Sequence, residues 1–82
     1  MLMIPSSTVE LLTTLSNAHA VPGCEGEVRS LFSQQLAAVG THQIDRLGNF
    51  YCRLHTAERP HVVVDSHMDE VGFMVQSITP KG

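Results

Sequence analysis

The sequence predicts an α/β fold in which two helices precede a β-hairpin and a strand that is buried on both faces. Three observations support this prediction. Two segments before Gly40 repeat apolar residues at helical spacing, a Gly-Asn pair later separates two short segments of mixed polarity, and a run of three valines follows. The apolar period therefore changes after Gly40, which indicates helices first and strands second.

The first helix is predicted over residues 7–18. Ser7 followed by Glu10 is a capping-box pattern, in which each side chain bonds the other residue's backbone N–H. One apolar face follows, formed by Leu11, Leu12, Leu15 and Ala18. Pro22 disfavours helical backbone in the residue before it, so residues 20–23 are predicted to form a turn.

The second helix is predicted to begin near Cys24 and to end at Gly40. Glu25 and Glu27 would lie in its first turn, where the helix dipole favours negative charge. Its apolar face is formed by Val28, Leu31, Phe32, Leu36 and Val39. Gly40 would then end the helix in a left-handed conformation.

Gly48-Asn49 predicts a two-residue hairpin turn between two short strands. In that register Leu47 pairs with Phe50, and His42 lies opposite His55. Two facing imidazoles could bind a metal, but we favour two exposed polar residues at the open end of the hairpin.

The third and fourth strands are predicted over residues 61–67 and 71–79. The consecutive valines Val62–Val64 show no alternation, which is typical of a strand covered on both faces. Little in so short a chain could cover them, and their apolar edges would invite aggregation or pairing with another chain. We therefore expect the isolated chain to be poorly folded or self-associated.

Composition excludes several classes of partner. The five Lys and Arg residues are scattered, so we expect no nucleic-acid-binding face, and no apolar run is long enough to span a membrane. The N-terminal residues do not resemble a signal peptide, so we expect a cytoplasmic protein. Cys24 and Cys52 form no C-x-x-C motif and are predicted to be reduced, small core residues.

Acidic and imidazole groups interrupt the most apolar part of the chain at Asp65, His67, Asp69 and Glu70. In a strand, residues 65, 67 and 69 share one face, so their side chains could converge just beyond the valines. Imidazole is a good ligand for zinc or cobalt, and a nearby carboxylate can fix its tautomer. The H-x-D spacing is therefore either part of a metal site or a solvated turn.

The string VVVDSHMDEVGFMVQSI resembles the metal-binding strand of the glutamyl-aminopeptidase and TET-type metalloaminopeptidases. LLTTLSNAHAVPGCEGEVRSLF and IDRLGNFYCRL match two upstream segments of that family in the same order. The resemblance runs from Val9 to Gly82. It implies that residues 1–70 are the N-terminal part of a zinc-peptidase catalytic domain. Residues 71–82 would begin a smaller β-rich domain that is inserted in the catalytic domain and used in assembly.

The resemblance also implies roles for individual residues. His67 matches the family's first metal ligand, and Asp69 matches the catalytic carboxylate that orients it, whereas Asp65 and Glu70 match no ligand. In the family, two zinc or cobalt ions activate a water that attacks the first peptide bond of a short peptide, and the subunits form homo-oligomers. No residue is assigned to substrate binding.

The remaining ligands and the general base of the family lie downstream of the residues matched here. We therefore expect the isolated chain to be inactive and to bind at most one metal ion, weakly. Three functions stay open: a peptidase segment that needs a continued or complementary chain, a vestigial or regulatory fragment that docks onto full-length subunits by strand addition, and a non-enzymatic α/β module.

Overall fold

The computed structural model describes residues 3–54 and 58–82. Two helices are followed by a two-stranded antiparallel sheet. The elements in chain order are α1 (Ser6–Asn17), α2 (Gly26–Gln35), β1 (Thr41–Ile44) and β2 (Phe50–Arg53). This small α/β arrangement confirms the predicted order of helices and hairpin. No helix in the described part of the chain is long and apolar enough to cross a membrane.

Helix α1 begins one residue earlier than predicted and lacks the expected capping box. Its N-cap position is Pro5, and no side chain caps the helix. The Pro5 carbonyl instead accepts hydrogen bonds from the N–H groups of Thr8 and Val9, at 3.0 and 3.2 Å. The capping-box prediction for Ser7 was wrong because Ser7 already lies inside the helix, where its backbone cannot adopt the extended conformation of a cap.

Residues 18–25, which we call the connector, join the two helices. The Cys24 N–H donates to the Val21 carbonyl at 2.8 Å, and Gly23 has φ of 88°. Proline in the second position and a positive φ in the third define a type II turn, which confirms the turn predicted around Pro22. The Gly23 N–H also donates to the Glu25 carboxylate at 2.7 Å.

Helix α2 ends at Gln35, five residues before the predicted end at Gly40. Beyond Gln35 the backbone forms tighter turns, in which an N–H bonds the carbonyl three residues before it: Ala37 bonds Gln34, and Val39 bonds Leu36. Gly40 does adopt a positive φ, of 62°, but it leads into β1 rather than capping the helix. A side chain there would collide with the carbonyl of Arg53, so the close approach of β2 requires glycine.

The hairpin has a different register from the predicted one. Ile44 pairs with Phe50 and His42 pairs with Cys52, so the turn spans residues 45–49 rather than two residues. The predicted partner His55 lies outside the described residues. The His42 ring instead packs edge-on against Phe50, with the ring centres 5.2 Å apart.

The Asp45 carboxylate explains the longer turn. It accepts hydrogen bonds from the N–H groups of Leu47 and Asn49, both at 2.9 Å. The Asn49 side-chain amide and the Tyr51 hydroxyl also donate to it, at 2.8 and 3.1 Å. A turn whose N–H groups are satisfied by one aspartate does not need the tight two-residue geometry.

A small apolar cluster joins α1, the connector and α2. Its buried members are Ala18, Ala20 and Val28, and the half-buried side chains packed on them are those of Leu15, Leu31, Phe32 and Met68. The Phe32 ring stacks on Phe50 with a centroid distance of 6.3 Å, which connects the hairpin to α2. The core therefore centres on α2.

The segments 61–67 and 71–79 are not strands in the described part of the chain, contrary to prediction. Val64, Val71 and Phe73 are almost fully exposed, at 94%, 98% and 102%. A strand needs neighbouring backbone to bond, and the four-residue strands β1 and β2 form a sheet with no third member among the described residues.

The prediction that both cysteines are core residues was wrong for Cys24, which is exposed, whereas Cys52 is half-buried. Both are free thiols.

We expect Asp45 to make the hairpin sensitive to acid. The side-chain amide of Asn49, with further hydrogen bonds from backbone and Tyr51, holds the pKa of the Asp45 carboxyl below its ordinary value of 3.8. The folded hairpin therefore prefers the carboxylate, and its stabilisation is complete above the ordinary pKa and is lost as the pH falls through the lower folded value. Amide-exchange protection of Asn49 measured against pH should show this loss. This pH-dependent loss of protection should be absent in Asp45→Asn and should still occur in Asp65→Asn.

We expect the isolated chain to self-associate through residues 71–79. This segment is exposed, apolar and free of charge and proline, which favours pairing between copies. Sedimentation velocity should show species heavier than the 9.0 kDa monomer, and Phe73→Glu should shift them toward monomer. Leu47→Glu, which changes an equally exposed apolar residue in the turn, should not. A monodisperse monomer that melts cooperatively would contradict this expectation.

Candidate functional site

His67 and Asp69, the two predicted site residues, are in direct contact. The His67 Nδ1 atom lies 3.0 Å from Asp69 Oδ1 and 2.9 Å from the Asp69 carbonyl oxygen. Both of these oxygens accept hydrogen bonds, so Nδ1 carries the proton. In the neutral imidazole, Nε2 then keeps its lone pair, which is the form that binds a metal.

Two contacts hold this pair on the connector. The Met68 side chain packs against the buried cluster, and the Glu70 N–H donates to the Ala20 carbonyl at 2.8 Å. Met68 and Glu70 flank Asp69, so the backbone is fixed on both sides of it. The His67 side chain points outward and is 84% exposed, whereas that of Asp69 is 45% exposed. The segment is thus anchored at its apolar residue and presents its imidazole to solvent.

The hairpin turn lies across a shallow cleft from this segment. Residues 47–49 and Glu25 line one part of the cleft, and residues 66–69 line the other. The Arg29 Nε atom donates to the Gly48 carbonyl at 2.7 Å, which fixes the turn to α2. Gly48 has φ of 86°, and a side chain there would meet the Arg29 guanidinium. Glycine therefore allows the turn to sit close to the arginine.

Asp65 does not join the pair, contrary to the expectation that residues 65, 67 and 69 share one face. The expectation assumed a strand, and the described segment has no strand pairing to impose that alternation. Asp65 is exposed and instead lies close enough to Tyr51 to interact electrostatically with its hydroxyl group. The pKa of the Tyr51 hydroxyl is raised, mainly by its hydrogen bond to Asp45, with a smaller electrostatic contribution from Asp65.

Sequence reasoning missed three groups that build this region. Arg29 carries no motif, since a single arginine on a helix is ordinary. The Ala20 carbonyl is a backbone group that no residue type reveals. Asp45 belongs to the D-R-L-G-N stretch quoted above, and an aspartate before a glycine-containing turn is a signal for the hydrogen bonds that it makes.

The pair fits one ligand position of a metal site. His67 offers one nitrogen donor, and Asp69 supplies the carboxylate that commonly orients a ligating histidine. Within residues 3–54 and 58–82, no group of three or more His, Cys, Asp or Glu side chains could hold a metal ion. A catalytic zinc has three protein ligands, so this segment would contribute one donor to a larger set.

These features define one candidate metal donor, and comparisons with known proteins identify the family. The family model described as M42 glutamyl aminopeptidase matches residues 48–82. The chain belongs to this M42-type family and represents a partial, N-terminal region of it. The recognition of the family from its motifs is confirmed.

The individual relatives agree with that family. The chain is 44% identical over 75 residues to "Putative aminopeptidase FrvX" of Escherichia coli K12, covering 90% of this chain and 21% of the relative. It is 38% identical over 71 residues to the glutamyl aminopeptidase of Lactococcus lactis, covering 83% of this chain and 20% of that protein. The chain thus spans about a fifth of the length of these relatives. No solved structure matches the chain.

We expect Asp69→Asn to weaken zinc binding at His67. The amide removes the charged acceptor of the Nδ1 proton, and loss of such a partner typically lowers metal affinity by about 10- to 100-fold. Isothermal titration with zinc checks this, with Asp65→Asn as the matched control because Asp65 does not bond His67. Equal affinities for the Asp69→Asn and unmodified chains would show that the carboxylate does not support the imidazole.

Proposed function

We propose that this chain is the N-terminal segment of a dinuclear-metal aminopeptidase, which releases N-terminal residues from short peptides. One observation carries the proposal. The His67–Asp69 hydrogen bond lies within the residues matched by the M42 glutamyl aminopeptidase model. A histidine whose Nδ1 proton is held by a carboxylate is the usual form of a metal-ligating imidazole.

In this proposal, each residue of the pair has one task. His67 would bind one of two zinc or cobalt ions through Nε2, and Asp69 would act as the catalytic carboxylate by fixing the tautomer and direction of the ring. A divalent ion in such a site supplies Lewis acidity toward the peptide carbonyl. Met68 and Glu70 keep the pair on the connector, so the imidazole position would not depend on a mobile loop.

The other donors and the general base would come from outside these residues, in a continued or complementary chain. The isolated chain would then bind a single ion weakly and would not turn over peptides. With zinc or cobalt present, we expect no hydrolysis of aminoacyl-p-nitroanilides. If the isolated chain hydrolysed these substrates and His67→Ala abolished the activity, the expectation that its active site is incomplete would be wrong.

A chimera tests the proposed function directly. Residues 9–82 would replace the aligned segment of the Lactococcus lactis glutamyl aminopeptidase, which is 38% identical to this chain. We expect the folded chimera to hydrolyse glutamyl-p-nitroanilide, and we expect His67→Ala to lower its kcat by at least about 100-fold, since a metal ligand would be lost. His19→Gln, which changes an exposed imidazole on the connector, is the matched control.

Two outcomes would contradict the proposal. One is a folded chimera without activity while the parent enzyme is active under the same conditions. The other is a His67→Ala chimera that keeps both its metal content and its turnover. Metal content measured by atomic emission separates loss of the ion from loss of the fold.

A second candidate function rests on the exposed apolar side chains of residues 61–79. These residues would dock onto full-length family subunits by strand addition and would regulate their activity or assembly. Adding the isolated chain to the Lactococcus lactis enzyme distinguishes the candidates. A regulator changes the activity or the sedimentation of that enzyme, whereas an inert segment changes neither.

A further inference from the structure

Gly72 lies directly against the connector. A Cβ atom built on Gly72 would overlap the Cγ1 atom of Val21 and would lie 3.3 Å from its Cβ atom. Gly72 is not among the glycines with positive φ, so its backbone conformation is open to other residues. The requirement for glycine here is a requirement for space.

This contact continues the attachment of the His67–Asp69 segment. The Glu70 N–H bonds the Ala20 carbonyl, and Gly72 contacts the next connector residue, Val21. Ala20 is only 2% exposed, so the connector backbone cannot retreat without disturbing the core. The two segments therefore lie side by side over these residues.

A side chain at residue 72 would separate these two segments. Valine is stiff about χ1, so Val21 cannot easily turn its methyl group away. Relief would come from movement of the less constrained partner, which is the exposed backbone around residue 72. That movement would pull on the Glu70–Ala20 bond, whose 2.8 Å distance leaves little room for displacement.

We propose that Gly72 is a positioning residue for the His67–Asp69 pair. The missing side chain lets residues 68–72 lie close against the connector, and this contact holds the Asp69 oxygens against His67 Nδ1. The importance of this geometry for a metal ion rests on the proposed function. The positioning itself does not, because it concerns contacts within the chain.

The test is a double-mutant cycle in the full chain. In Gly72→Ala we expect lower amide-exchange protection at Glu70, a shift of the His67 proton from Nδ1 toward Nε2, and zinc affinity about 10-fold weaker. Long-range ¹H–¹⁵N spectra above the ordinary imidazole pKa report the tautomer, which a general loss of stability would not select. In Gly72→Ala combined with Val21→Ala, the overlapping Cγ1 methyl group is removed and only a close contact between two Cβ atoms remains, so all three quantities should move back toward those of the unmodified chain.

Gly26→Ala is the matched control. It adds the same methyl group in α2, where the nearest atom outside the adjoining helix backbone is Arg29 Nη1 at 3.9 Å. The tautomer of His67 and the protection of Glu70 should not change in this variant. Any change there would mean that the measurements respond to alanine substitution in general, which would count against the proposal.

Three other outcomes of this experiment have different meanings. Retention of the Nδ1–H tautomer and of Glu70 protection in Gly72→Ala would overturn the proposal. So would an altered or unfolded Gly72→Ala that Val21→Ala does not restore. If the tautomer responds as expected but the unmodified chain shows no zinc binding at His67, the positioning stands and the proposed function fails.

Discussion

The candidate site depends on how residues 68–72 lie along the connector. One backbone hydrogen bond, from Glu70 to Ala20, and one apolar contact, from Met68 to the buried cluster, fix the backbone around Asp69. A backbone bond beside a buried cluster is protected from competing water, so it restrains the chain more than an exposed bond would. His67 can remain exposed because Met68 and Glu70, rather than His67 itself, fix the segment to the buried cluster and the connector.

Helix α2 provides the other fixed point. Its Val28 belongs to the cluster that receives Met68, its Phe32 stacks on Phe50, and its Arg29 bonds the carbonyl of Gly48. The hairpin turn and the His67 segment are thus both fixed to one helix. Both parts of the cleft would move if α2 lost its packing, even though neither lies in the helix.

The predictable parts of the fold are those determined by local pattern. The spacing of Leu31 and Phe32 gave the second helix, and Pro22 and Gly23 gave the turn before it. The hairpin register could not be predicted from Gly48-Asn49 because the Asp45 side chain supplies hydrogen bonds that a turn rule based on residue pairs ignores. Local pattern therefore locates elements better than it sets their register.

The predicted strands failed for a different reason. The valines around Val63 have strand propensity, but pairing depends on a neighbouring strand, and none lies beside them in the described residues. Within the candidate site, the spacing suggested only that His67 and Asp69 could lie together, and their proposed roles came from the family resemblance. The spacing also placed Asp65 on the same face, and this expectation was wrong because it assumed strand geometry. Sequence reasoning did not anticipate the role of the Ala20 carbonyl, which is a backbone group.

The most direct test of this account is to identify the nitrogen of His67 that binds zinc. The contact of Nδ1 with both Asp69 oxygens leaves Nε2 as the donor. In ¹⁵N-labelled chain titrated with zinc, the Nε2 resonance of His67 should change while Nδ1 keeps its proton. Zinc binding through Nδ1, or an unchanged His67 while other histidines respond, would contradict the claim that the connector presents this imidazole as a metal ligand.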